Sequence, residues 1–215
     1  MGKIIALAKE RGVPVKDAAA QKLDALCGGV VHQGVAAMAA CHDFSTMEDI
    51  FAKAGDQPPF VIICDNIEDP HNLGAIIRTA EAAGAHGVII PKRRGVGLTA
   101  TVAKTSAGAV EYMPVVRVAN IVSTIEELKQ KGLWIFCADM DGKPWCSADM
   151  CGPIGIVVGA EGSGVSRLTK EHCDFVVSLP MNGQVNSLNA SVAAAIVIYE
   201  AVRQRSGLPA FTSNK

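Results

Sequence analysis

From Phe60 onward the sequence alternates short apolar runs with amphipathic helix patterns, and it does so over about 150 residues. Residues 60–64, 87–90, 115–118, 133–138, 154–158 and 175–179 read as strands. Continuous apolar runs of this length suit strands covered on both faces. Residues 72–83, 121–131, 165–171 and 191–205 read as helices, with Gly84 and Gly132 placed to end two of them. Strands that alternate with helices build a parallel sheet, which confines the chain to the α/β class. In such sheets ligands bind beyond the carboxyl ends of the strands.

Residues 1–56 follow a different pattern. Helix patterns at 4–10 and 17–26 precede a β-like stretch at 30–40 and a third helix at 46–54. Gly55-Asp56-Gln57-Pro58-Pro59 then reads as a junction, so a small first domain at 1–56 and a larger one at 57–215 are expected. Hydrophobic residues make up 49% of the chain and charged ones 19%, which suits a buried core and excludes disorder. A formal charge of −1 gives no global basic signature, so any nucleic acid must meet a local patch. Lys92-Arg93-Arg94 and the region of Arg203 and Arg205 are such clusters, although short basic clusters also occur as solvated loops. The seven cysteines show no CxxC spacing and several sit in apolar runs, as free thiols in a reducing compartment do. No metal-ligand set, secretory signal or membrane-spanning run is visible, so the expectation is a soluble cytoplasmic protein without metal.

Three polar, glycine-bearing loops follow strands in this pattern and converge on one end of the sheet. The first is Asp69-Pro70-His71-Asn72-Leu73-Gly74-Ala75-Ile76-Ile77-Arg78. The second is Val158-Gly159-Ala160-Glu161-Gly162-Ser163-Gly164-Val165. The third is Leu179-Pro180-Met181-Asn182-Gly183-Gln184-Val185-Asn186-Ser187-Leu188-Asn189. Arg78, on an otherwise apolar helix, reads either as a partner for Glu81 or another acid, or as a guanidinium at a pocket mouth gripping a phosphate or ribose oxygen. The glycines around Glu161 let backbone approach a ligand closely, but their spacing is not the GxGxxG of a dinucleotide site, which argues against NAD. Ser187 and Asn189 are placed to cap the last helix. Small hydrogen-bonding side chains crowded there would equally orient a sugar hydroxyl. His71 reads as a surface or hydrogen-bonded histidine.

Together and in this order, the loops resemble the motifs of the SpoU (TrmH) family of RNA ribose 2′-O-methyltransferases, over residues 60–206. Asn72 to Arg78 is similar to the first motif, Gly159 to Gly164 to the second, and Leu179 to Asn189 to the third. Lys104-Thr105-Ser106-Ala107-Gly108-Ala109, Glu171-His172-Cys173-Asp174 and His32-Gln33-Gly34-Val35 resemble the bacterial branch that methylates a guanosine of 23S-type ribosomal RNA. The last of these belongs, in that branch, to an RNA-binding domain similar to ribosomal protein L30e, which is expected here to lack its first third.

The resemblance implies a parallel α/β sheet with a deep carboxyl-terminal trefoil knot, against the usual rule that folds are not knotted, preceded by a truncated L30e-like domain. It implies S-adenosylmethionine as methyl donor, held through backbone groups at Gly159, Leu179 and Leu188, with Met181 and Gly164 beside them. It also implies an RNA substrate and a homodimer whose sites borrow residues from the partner chain.

The implied reaction is in-line attack of a ribose 2′-oxygen on the sulfonium methyl. The family account makes Arg78 the base. A guanidinium with a pKa above about 12 suits a clamp better, holding the neighbouring phosphate and stabilising the developing alkoxide. Glu161 would orient Arg78, Ser187 and Asn189 would fix the ribose, and Asn72 would shape the first loop or contact the substrate. Two alternatives stand beside a 23S-type target: the same chemistry on transfer RNA, and a catalytically silent RNA-binding ribosome-assembly factor. The second is opposed by the presence of Arg78, Glu161, Ser187 and Asn189 together.

Overall fold

Each apolar run beyond Phe60 is a strand in a computed structural model, which describes residues 2–28, 31–36 and 42–209. The chain divides into two compact units, Met1–Ala39 and Ala40–Lys215. In the first, helices α1 (Gly2–Glu10) and α2 (Ala20–Cys27) bury none of their residues. Residues 31–36 form no strand, and the rest of the β-like stretch expected at 30–40 lies outside the described residues. His32 instead anchors a turn: its Nδ1 accepts from Gly34 N at 3.0 Å, so Nε2 carries the proton and donates to Asp24 Oδ1 at 3.0 Å.

Helix α3 (Met47–Ala54) opens the second unit. Thr46 caps it reciprocally, its Oγ1 accepting from Asp49 N at 3.3 Å while the Asp49 carboxylate accepts from Thr46 N at 2.7 Å. Ile50 is fully buried against the sheet. Residues 42–56 therefore pack with the sheet, and the division falls near residue 40 instead of after residue 56.

The chain then runs β1 (Phe60–Asp65), α4 (Pro70–Ala82), β2 (Gly87–Pro91), α5 (Ala100–Thr105), β3 (Val115–Val118) and α6 (Ile121–Gln130). It continues through β4 (Trp134–Pro144), β5 (Ile154–Gly159), α7 (Arg167–Glu171), β6 (Phe175–Ser178) and α8 (Ala190–Arg205). The strands pair in the order β3-β2-β1-β5-β4-β6, all parallel. Side chains alternate between faces, as strand geometry requires. Phe60, Ile62 and Cys64 meet α4 and α8 on one face, while Val61 and Ile63 meet α3 and α6 on the other. Each such fully buried side chain contributes roughly 1.5–3 kcal/mol.

Two features were not legible in the pattern. The six-residue α5 is too short to show a helical period. Strand β4 continues beyond the expected 133–138: Ala138 and Lys143 both pair with Val177, and Asp139 to Gly142 bulge out between them.

β6 lies at the sheet edge beside β4, so residues 179–189 carry the chain back across the carboxyl ends to α8, which packs on α4 and β5. Arg205 fastens the far end of α8, donating to Pro58 O at 3.1 Å and Pro59 O at 3.3 Å, with its guanidinium 4.7 Å from the Phe60 ring centre.

Candidate active site

The three loops do converge. Behind β5, Ala160 and Gly164 exchange backbone hydrogen bonds of 3.1 and 2.9 Å, closing a tight turn over the strand end. A Cβ at position 159 would lie 2.1 Å from the Gly164 carbonyl carbon, so only glycine permits this closure. Gly164 itself sits at φ +64°, a conformation that side chains disfavour. The buried carboxylate of Asp65, at the end of β1, accepts from Ser166 N at 2.8 Å and holds the turn to the sheet.

Asp69 caps α4 by accepting from His71 N at 2.9 Å, and Pro70 fills the first helical position. This places Asn72 in the first turn, buried, where its Nδ2 donates to Glu161 Oε1 at 2.6 Å. Asn189 completes a triad. Its Nδ2 donates to Asn72 Oδ1 at 2.9 Å and to Glu161 Oε1 at 2.6 Å. Its Oδ1 caps α8 by accepting from Ser191 N at 3.0 Å and Val192 N at 3.3 Å. One residue from each loop therefore meets at a single carboxylate oxygen, and one side chain both caps a helix and joins the loops.

Glu161 of the triad lines a cleft of about 180 Å³. Gly159, Gly164, Leu179, Met181, Ser187 and Leu188 line it, so the candidate donor residues stand together. Asp139 and Met140, from the β4 bulge, line it too. Lys170 of α7 holds the bulge, lying 3.3 Å from Asp139 and bonding Asp141. That contact raises the pKa of Lys170 and lowers that of Asp141. Asp139 was not legible in the sequence because a bulge within a strand has no period, and Lys170 because its contact with the bulge is made by the fold.

Arg78 stands apart. It lies six residues beyond Asn72, about 9 Å along the helix and some 240° around it. Its side chain is exposed, and among the described residues it forms no ion pair or hydrogen bond. The expected contact between Glu161 and Arg78 is not formed within the chain, where Asn72 and Asn189 instead meet at Glu161 Oε1. Ser187 is exposed on the cleft wall. Among the described cysteines, Cys64 and Cys137 are buried, and burial pushes the Cys64 thiol up to about 12.

The chain is similar to known methyltransferases along nearly its whole length. The SpoU rRNA Methylase family model matches residues 59–199, and a model for RNA 2′-O ribose methyltransferase substrate binding matches residues 1–44. YacO of Bacillus subtilis, named for the TrmH family of tRNA/rRNA methyltransferases, is 47% identical over 207 residues, covering 95% of this chain and 83% of the relative. The 23S rRNA (guanosine-2′-O-)-methyltransferase RlmB of Ralstonia nicotianae is 44% identical, covering 98% and 85%. Among solved structures, the SpoU methyltransferase AviRb of Streptomyces viridochromogenes in complex with AdoMet superposes with a TM-score of 0.69 at 28% identity, covering 94% and 88%. The six-stranded parallel sheet is thus the sheet of this class, whose members carry a trefoil knot. The chain belongs to the SpoU rRNA methylase family of RNA ribose 2′-O-methyltransferases.

Proposed function

We propose that this chain, as a cytoplasmic homodimer, transfers a methyl group from S-adenosylmethionine to the ribose 2′-hydroxyl of a guanosine in 23S-type ribosomal RNA. The triad of Asn72, Glu161 and Asn189 carries the reading, because it joins three loops distant in sequence through Glu161, which lines the cleft. The substrate follows the similarity to RlmB and the match of residues 1–44 to an RNA substrate-binding model. The name of YacO keeps transfer RNA as a second substrate. Among the described residues no helix is long and apolar enough to cross a membrane, and no group of side chains could hold a metal ion.

The cleft fits the donor by its chemistry. Among the residues lining it, backbone groups of the turn at Gly159–Gly164 and of Leu179 and Leu188 would supply polar contacts, Leu179 and Met181 apolar ones, and Asp139 negative charge. S-adenosylmethionine, when bound, supplies a methyl group activated by its sulfonium. The protein's part is to present the nucleophile. Attack by an oxyanion on a cation removes charge, so a cleft poor in water favours it.

Asn189 has both amide hydrogens and its oxygen engaged, so it positions loops instead of holding the ribose. Ser187, exposed on the cleft wall, is the hydroxyl available to the ribose. Arg78 has the charge and the fork to grip the adjoining phosphate and stabilise the developing alkoxide. Its exposure suits delivery into the partner's cleft. A surface for that partner exists on α8, where Val192, Ile196 and Tyr199 are 47%, 37% and 49% exposed at one-face spacing.

Calorimetry with S-adenosylmethionine, followed by transfer of labelled methyl to ribosomal or transfer RNA, tests the reading. Donor binding with label in large-subunit RNA alone is expected. Label in transfer RNA alone would replace the substrate, and absence of donor binding would leave an RNA-binding module.

A further inference from the structure

A second cavity, of about 450 Å³, adjoins the donor cleft. Ala160, Glu161 and Ser163 line both, so the two share a wall, and Asn72 lines the second. Its volume falls within the roughly 300–1,000 Å³ of small-ligand sites. The remaining walls come from residues 66–69, after β1, and from Arg94, after β2. Asn66 and Arg94 both hold left-handed backbone, at φ 60° and 58°. Residues with side chains adopt that conformation uncommonly. Val96 N donates to Ile67 O at 2.9 Å and Arg117 Nη2 to Lys92 O at 3.0 Å, so the two loops are tied in place.

The cavity's charges are unevenly occupied. Asp69 caps α4, and Glu161 receives Asn72 and Asn189. Glu68 and Arg94 remain, exposed on one cavity, and among the described residues neither forms an ion pair or a side-chain hydrogen bond. Opposite charges that line one cavity without closing on each other leave space for a group offering donors to one and acceptors to the other.

We propose that this cavity reads the base of the target nucleotide, with Glu68 accepting from guanine N1–H and N2–H and Arg94 donating to O6 and N7. The proposal rests on the reading of the chain as a ribose methyltransferase and assigns its base specificity. Guanine alone among the RNA bases presents two adjacent donors on its Watson–Crick edge, matching the two oxygens of a carboxylate. Its O6 and N7 take the fork of an arginine. Adenine and cytosine offer Glu68 one donor beside an acceptor, and uracil one donor between two acceptors. Each would leave lone pairs facing the carboxylate unpaired. A base extruded from its stack into this cavity would set its ribose against the shared wall, toward the donor.

The test has two arms. Ribosomal RNA is methylated with labelled donor and digested to nucleosides. The wild type is expected to place label in 2′-O-methylguanosine. Glu68→Ala and Arg94→Ala are each expected to lower transfer about tenfold or more, the loss for one bidentate base contact, with calorimetric donor affinity unchanged. In the second arm, guanosine and adenosine 5′-monophosphates are titrated into the donor-bound protein. Backbone amide resonances of residues 66–69 and 94 are expected to move with the guanosine nucleotide alone, and Glu68→Ala to abolish the response. Label in another nucleoside, or wild-type transfer by Glu68→Ala, overturns the base-reading pocket while methyl transfer stands. If the wild type labels no RNA, the activity reading fails by itself, and the titration decides the pocket: equal or absent responses to the two nucleotides overturn it.

Discussion

At the residue scale the site turns on how few hydrogen-bonding groups Asn189 has left. Its oxygen caps α8 and its two amide hydrogens reach Asn72 and Glu161. Asn189→Asp separates the two jobs, because aspartate caps a helix about as well as asparagine yet would face Glu161 with a second negative charge. We expect a melting temperature close to wild type and methyl transfer lowered about tenfold or more, as for loss of a charge-assisted contact of roughly 1.5–3 kcal/mol; unchanged transfer would show that the triad is only a cap. Arg78→Lys keeps the charge and loses the planar fork. Transfer should collapse while donor affinity measured by calorimetry survives, and near wild-type turnover would contradict both the clamp and the base. Every member of the triad stood out in the sequence as a polar residue in a glycine-bearing loop. Their mutual contacts did not, because pairing across 117 residues is set by the sheet order and not by local pattern. Arg78 was legible as a functional candidate, but its separation from Glu161 required the helix to be built.

Among the elements, the strands were legible because burial on both faces gives continuous apolar runs, as in Val61-Ile62-Ile63. The extension of β4 was not, since Asp139-Met140-Asp141-Gly142 has the composition of a turn and pairs with nothing until Lys143. The tight turn behind β5 makes a sharp demand on sequence. Gly159→Ala puts a methyl group into fixed backbone, at a cost of roughly 1–3 kcal/mol, so donor affinity should fall about tenfold or more; calorimetry showing wild-type affinity would refute the turn as the donor's wall. His86, before β2, contributes a pH dependence. It is buried, with Nδ1 accepting from Phe60 N at 3.0 Å. Burial, then the charges of Arg205 and Lys53, hold its pKa below the usual histidine value. The folded state therefore keeps His86 neutral while the unfolded chain protonates near pH 6.5. Stability should be fully present above that pH and decline as the pH falls below it. Urea unfolding between pH 7.5 and 5 reads this slope, and His86→Asn should flatten it.

For the whole molecule, the sheet order brings the three loops to one end of the sheet, whereas the proposed dimer rests on what the single chain leaves open. An exposed arginine and an exposed apolar stripe on α8 are complementary needs. Mixing Arg78→Ala and Glu161→Ala proteins, each inactive alone, should restore about a quarter of wild-type transfer, since half the symmetric dimers formed are hybrids with one intact site. No recovery after subunit exchange would place Arg78 in its own chain's site. Ile196→Glu should give a monomer by light scattering, with transfer lost. The central claim is that methyl goes to a ribose oxygen, and alkaline hydrolysis of the labelled ribosomal RNA tests it most directly. Cleavage needs a free 2′-hydroxyl, so a 2′-O-methylated residue survives within an alkali-stable dinucleotide. The expected result is label in one such dinucleotide with guanosine at its 5′ side; label recovered only in mononucleotides would put the methyl on a base and contradict the account.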